Sequence, residues 1–365
     1  LSLKQALQGR ELAGPLLRRI ERTAAGISRT VRIMEVCGTH TVAIRRSGIH
    51  SLLPGNISLI SGPGCPVCVT PTGYIDNAIL LLENPEITVA SFGDMLKVPG
   101  STGGSLSSYR GTGRVRIVYS PAELADLAGQ TSGDVVFLAI GFETTIPTVA
   151  AALLRALEAG VSNLYLYTAF KTVPPALRAL LASPQRNLDA FLLPGHVSVI
   201  IGEQPYRFLE GPAGVPGVIT GFEPIDLLEG ILAALRQIER GERQVQNAYT
   251  RAVRPQGNPK AREVMGRLLE PVDALWRGLG MIAGSGLKLR EEYNHLDAVS
   301  RFDLPPLRNL EPPGCGCAEV LQGKMLPRGC PLFGGACTPE HPVGPCMVSS
   351  EGSCAASFRY GEVAL

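Results

Sequence analysis

The sequence predicts an α/β protein of two similar lobes, each a parallel sheet flanked by helices, followed by a loop-rich C-terminal domain. Three observations carry this prediction. Short apolar β-type runs alternate with Gly-, Pro- or Cys-rich turns and helical patterns from Val31 to about Arg240, as parallel βαβ units do. These units fall into two successive sets. Six of the nine cysteines then crowd between Cys315 and Cys354 among Gly and Pro, a composition that excludes long helices and central strands. The expected divisions are 1–125, 126–245 and 246–365.

In chain order, Leu3, Ala6, Leu7, Leu12, Leu16, Leu17 and Ile20 recur at helical spacing, with Gly14-Pro15 expected to interrupt the helix. The first set of strands covers 31–36, 57–60, 87–90 and 115–119. The second covers 135–140, 164–168, 190–193 and 217–220, with helices expected after most of them. Beyond 246, one helix is predicted over Ala261–Leu269. The Gly-rich stretch from Pro99 to Gly104 lacks the endings of nucleotide-binding loops, so its phosphate signal is weak.

Composition narrows the function. A net charge of +2 argues against nucleic acid or a membrane surface as the main partner. No apolar run approaches the roughly 20 residues of a membrane span, and the first residues do not read as a signal peptide. A cytoplasmic location is the expectation, and there structural disulfides are rare. Clustered cysteines therefore favour a metal or redox cofactor.

Chemistry-bearing residues fall just after strands, where open parallel sheets bind ligands. These are Cys37, Cys65, Asp94, Glu143, His196 and Glu223. Taken singly, several read equally well as helix caps; in register across two lobes they point to a shared cleft. Cys65 and Cys68 form a C-x-x-C beside a predicted helix start, which lowers a thiol pKa and suits iron ligation or disulfide exchange. Cys37 and His40 share one turn and form a nucleophile or ligand pair, or a buried thiol acting as a small hydrophobe. His196 follows Pro194-Gly195, and a structural histidine is the competing reading. Glu143 and Glu223 occupy matching Gly-Phe-Glu turns.

In the C-terminal segment only Cys315 and Cys317 are a close pair, whereas mononuclear zinc commonly uses two such pairs. A [4Fe–4S] cluster takes four thiolates at irregular spacing and leaves two cysteines for a redox-active disulfide. The predicted C-terminal domain is on this reading an iron–sulfur domain.

Several stretches together resemble one family. They are Met34-Glu35-Val36-Cys37-Gly38-Thr39-His40-Thr41, Gly62-Pro63-Gly64-Cys65-Pro66-Val67-Cys68, Ser91-Phe92-Gly93-Asp94-Met95, Gly141-Phe142-Glu143-Thr144-Thr145, Leu193-Pro194-Gly195-His196-Val197 and Gly221-Phe222-Glu223-Pro224. Cys330-Pro331-Leu332-Phe333-Gly334 and the run from Pro342 through Cys346 to Glu351-Gly352 complete the set. In this order, and over nearly its full length, the chain resembles the HypD family of hydrogenase maturation factors.

The resemblance implies assembly of the Fe(CN)2CO unit of [NiFe]-hydrogenases with the small partner HypC, the cyanide donor HypE and, indirectly, HypF. It implies iron between Cys37 and a cysteine of HypC, with Cys65 and Cys68 as the thiol pair beside it and His196 close by. It also implies a [4Fe–4S] cluster in the C-terminal segment; which four of its six cysteines bind is left open by the resemblance, and the expected ligands are Cys315, Cys330, Cys337 and Cys354, with Cys317 and Cys346 as the spare, disulfide-forming pair. Soft thiolates suit such an iron, and releasing cyanide from a thiocyanate consumes two electrons, which a dithiol can store. Glu143, Glu223 and Glu351 stay without assigned roles. The rival readings are an iron–sulfur thiol/disulfide reductase acting on a protein, which has no need of Cys37, and a zinc-stabilised binding module.

Overall fold

The computed structural model describes residues 3–184 and 186–361. Its strands are β1 (Val31–Glu35), β2 (Ile57–Ser61), β3 (Ile87–Ser91), β4 (Val115–Ile117), β5 (Asp134–Gly141), β6 (Leu164–Lys171), β7 (Ala190–Pro194), β8 (Gly217–Thr220), β9 (Val245–Asn247), β10 (Leu269–Trp276) and β11 (Gly280–Leu289). They form two helix-flanked sheets. The first runs β2-β1-β7-β8-β9 and is parallel throughout. The second runs β10-β11-β6-β5-β3-β4, with a parallel centre and the antiparallel β10–β11 hairpin added at β6.

Sheet membership is not consecutive along the chain. Strands of 1–125 divide between both sheets, and so do those of 126–245: β1 pairs with β7, and β3 with β5. Nor is the second sheet parallel throughout, because the hairpin from beyond residue 246 is built into it.

Side-chain alternation explains how the sheets stack. On β5, Val135, Phe137 and Ala139 face the helix Ile146–Glu158, whereas Val136, Leu138 and Ile140 face a core shared with the other sheet. On β1, Ile33 faces the helices Leu3–Ala25 and Pro224–Arg240, while Met34 faces the shared core. Strands buried on both faces are near-continuous apolar runs, and each fully buried Val, Ile or Leu contributes about 1.5–3 kcal/mol. The shared core also takes in Cys65, Cys68, Cys317, Cys337, Cys346 and Cys354.

The helix Leu3–Ala25 runs through Pro15 without the expected interruption. Proline forfeits one hydrogen bond there, but Leu16, Ile20 and Ala24 are buried against the helix Pro224–Arg240 and hold the following turns in place. No helix among the described residues is long and apolar enough to cross a membrane.

Candidate thiol site between the two sheets

Cys37 caps the N-terminus of the helix Gly38–Arg46 at the end of β1. Its backbone is pinned against β2's exit: Gly38 N–H donates to Gly64 O at 2.9 Å, and a Cβ on Gly64 would stand 2.3 Å from Cys37 N. Only glycine fits that approach. Burial pushes the Cys37 thiol up to about 11, with the Glu351 charge adding to it and contacts from His40 and Thr39 opposing it. The thiol is therefore protonated at neutral pH, and a metal must displace that proton to bind.

Glu351, one of three glutamates without a role in the sequence, sits at this turn. Its carboxylate accepts the Thr39 hydroxyl at 2.6 Å, acts on the Cys37 thiol, and faces His196, whose pKa burial lowers while Glu351 raises it. The exposed His196 ring stacks on Phe222 with centroids 3.7 Å apart. His40 packs on Phe222 at 4.8 Å, and its Nε2 donates to Thr220 O at 3.3 Å. Fully buried, His40 is lowered to about 4, and its Nδ1 has no partner. Nothing in the spacing marked Phe222 or Thr39. Cys37, Thr39, His196, Phe222 and Glu351 thus line one place at the carboxyl edge of the first sheet.

A second group adjoins it. Cys65 caps the short helix Pro66–Val69, its sulfur accepting Cys68 N–H at 3.3 Å. Cys68 lies in thiol contact with Cys65 and Cys346, and its Sγ donates to Pro345 O at 3.8 Å. Cys346 in turn contacts Cys317 and Cys354, and Cys315 contacts Cys317. A continuous path of touching thiols therefore runs from the C-x-x-C into the C-terminal segment. Burial pushes Cys68 well above the usual thiol range, so the expected lowering by a helix N-terminus is absent at this residue; a four-residue helix carries too little dipole to offset that desolvation. Cys346 is also raised, first by its contact with Cys317.

The donor set fits an iron–sulfur cluster. Cys330 Sγ accepts Gly316 N–H and Cys337 Sγ accepts Val343 N–H, each at 3.3 Å, as ligating sulfurs do. A Cβ on Gly344 would stand 2.6 Å and 2.8 Å from the sulfurs of Cys317 and Cys315, so only a glycine leaves them room. All nine cysteines are unbonded, including Cys317 and Cys346. With thiols packed against one another, no three His, Cys, Asp or Glu among the described residues are arranged as a ready metal site.

The segment carrying Cys346 joins the strand-end residues of both sheets. Ser349 donates to Asp94 beyond β3 at 3.3 Å, while Glu351 reaches Thr39 beyond β1. Glu143 is buried with Oε1 accepting Val173 N–H at 2.9 Å. It lies close enough to Tyr206 for its charge to act on that phenol, as does Cys37. Glu223 is exposed and caps the helix Pro224–Arg240 in a capping box with Asp226. In the loop 99–104 the Asp76 carboxylate accepts Ser101 N–H at 2.8 Å, placing negative charge where a phosphate would sit. A surface cavity of about 440 Å³ beside Arg19, Arg236 and Arg240 contains none of these residues.

The HypD family model, described as "Hydrogenase formation hypA family", matches residues 11–361. The chain is 46% identical over 342 residues to the hydrogenase expression/formation protein HupD of Azotobacter chroococcum mcd 1, covering 92% of this chain and 90% of that protein. It is 43% identical over 334 residues to hydrogenase maturation factor HypD of Escherichia coli (strain K12), covering 91% and 90%. With HypD of Rhodobacter capsulatus it shares 42% over 360 residues, 96% of each chain. The chain belongs to the HypD family of hydrogenase maturation proteins.

Proposed function

We propose that this chain is the scaffold and redox component on which the Fe(CN)2CO unit of [NiFe]-hydrogenases is assembled. The observation that carries the reading is the contact of Cys68 with Cys346, which joins the C-x-x-C beside Cys37 to the C-terminal cysteines. Iron is the substrate, held by Cys37 and a cysteine of a HypC-type partner, with cyanide delivered from HypE and HypF upstream of it. Thr39 and Glu351 fix the turn that presents Cys37, and His196 with Phe222 forms the half-open wall toward the partner.

Cys315, Cys330, Cys337 and Cys354 would hold a [4Fe–4S] cluster, which supplies single electrons when bound. Cys317 and Cys346 would act as the pair between it and Cys65/Cys68. When the latter are oxidised, Cys346 attacks Cys68, a Cys346–Cys68 bond forms as the Cys65–Cys68 bond breaks, and the Cys346 proton passes to the departing Cys65 sulfur. Cys317 then attacks Cys346, forming a Cys317–Cys346 disulfide and freeing Cys68, which takes the Cys317 proton, and two electrons with two protons return that pair to thiols. The reduced Cys65/Cys68 dithiol is the two-electron store for releasing cyanide.

Burial of Cys65 and Cys68, 4% and 1% exposed, weighs against the reductase alternative, because a protein disulfide has to reach an accessible thiolate. The test is infrared spectroscopy and iron analysis of the complex co-purified anaerobically with a HypC-type partner. Cyanide and CO bands lost in Cys37→Ala support the reading; their absence from the wild-type complex favours the reductase. For the cluster, Cys317→Ala and Cys346→Ala are expected to keep its visible absorbance and Cys315→Ala to abolish it. The reverse pattern refutes the ligand assignment.

A further inference from the structure

Arg277, at the tip of the β10–β11 hairpin, is 0% exposed, and none of Nε, Nη1 and Nη2 has a hydrogen-bond partner among the described residues. A guanidinium stays charged throughout the working pH range, and an unpaired buried charge is among the costliest groups to fold around. Its ion-pair partner among the described residues is Glu311, with Oε1 3.9 Å from Nε, beyond hydrogen-bonding reach. That oxygen already accepts Asn309 Nδ2 at 2.7 Å, and Glu311 Oε2 is unpartnered as well. The pair is therefore poorly matched.

Three anchors place the hairpin tip among the cysteine-bearing segments. Arg277 N–H donates to Val69 O at 2.8 Å, one residue past Cys68. At the next residue, a Cβ on Gly278 would stand 3.0 Å from Ala318 Cα, beside Cys317, and the Gly278 carbonyl accepts Gln322 Nε2. Glu311 is close enough to Cys315 to act on its thiol. The hairpin tip is bracketed by the C-x-x-C turn and the Cys317 helix, and its guanidinium pairs with Glu311 in the segment leading to Cys315.

We propose that Arg277 is the built-in counter-charge of a [4Fe–4S] cluster on the C-terminal cysteines, a positioning residue that raises the cluster's reduction potential and slows its loss. This rests on the cluster reading above. A cluster with four thiolates is anionic in both working oxidation states and more so when reduced, so a fixed buried cation favours the reduced form. Buried N–H groups left without a partner are the kind of outer-shell donor that sets a cluster's potential.

The test uses the full chain purified anaerobically, as wild type, Arg277→Met and Arg277→Lys. Iron and sulfide content, EPR-monitored redox titration and release of iron to a chelator are read on the loaded proteins, and urea unfolding on the cluster-free ones. Arg277→Met is expected to titrate at more negative potential and to lose iron about ten- to a hundredfold faster, the usual cost of losing an outer-shell partner, with Arg277→Lys between it and wild type. Cluster-free Arg277→Met is expected to match or exceed cluster-free wild type in stability, since it no longer buries an unpaired charge. A loaded Arg277→Met with wild-type potential and iron release overturns the proposal. So does a cluster-free Arg277→Met that unfolds at lower urea than cluster-free wild type, which would show a structural role. Wild type without iron and sulfide overturns the cluster reading and this proposal with it, and so separates the two failures.

Discussion

Replacing Glu143 with Gln removes a titration while keeping a hydrogen bond. The carboxyl is 2% exposed; Oε1 accepts Val173 N–H, and Oε2 has no partner. Burial raises its pKa from 4.5 to about 7, against the opposing hydrogen bonds of its own backbone and of Val173. In the unfolded chain the group loses its proton near 4.5; in the folded chain it keeps it until about 7. Below 4.5 both states are protonated and the contribution to stability is complete. As pH climbs, only the unfolded state ionises at first, so the folded state loses ground until its own carboxyl ionises. That loss amounts to about 3 kcal/mol. The assay is urea unfolding of cluster-free wild type and Glu143→Gln under reducing conditions, from about pH 4 to 8. The stability of wild type relative to the variant should fall by about 3 kcal/mol across this window and level off above it. A wild-type-minus-variant difference that stays constant with pH refutes the reasoning.

Three other outcomes follow from the same geometry. Gly64→Ala drives a methyl into the Cys37 backbone; it should cost about 2 kcal/mol or more in unfolding measurements and weaken iron capture in the HypC-type complex, and wild-type behaviour in both would contradict the close approach. Cys37, raised to about 11, should alkylate slowly at pH 8, and Glu351→Gln should speed it roughly two- to fivefold by removing a neighbouring negative charge. Mass spectrometry of the Cys37 peptide reads this, with an unchanged or slower rate as the contrary result. His40, lowered to about 4, should show no imidazole titration by NMR between about pH 5.5 and 8; a midpoint inside that range would mean its ring is not sealed.

All eight strands read from the sequence are present, because apolar runs such as Val135–Ile140 are buried on both faces and end in turn residues. The pairing was not legible. Nothing local tells β1 to lie beside β7, from which it is separated in sequence by all the parallel strands of the second sheet. The hairpin β10–β11 escaped notice because Glu270, Pro271, Asp273 and repeated glycines break its apolar alternation; Trp276-Arg277-Gly278-Leu279-Gly280 was its one turn signal. The clustering of Cys37 with His196 was readable from strand-end positions. Glu351 was not, since a carboxylate in a Ser-Glu-Gly loop carries no mark of the strand turn it reaches. Pro15 illustrates the opposite error: a local breaker overridden by tertiary packing.

The bond from Thr39 to Glu351 spans 312 residues of chain, and that separation orders events during synthesis. A ribosome adding ~5–20 residues per second takes roughly a quarter of a minute to a minute to cover it. Throughout that interval the emerging Cys37 turn lacks its carboxylate clamp, and for roughly the first two-thirds of it the β7–β9 half of its own sheet is incomplete as well. A chain that stops short of Glu351 thus lacks the clamp on the Cys37 turn, and on the function proposed above metal capture would follow synthesis of that segment.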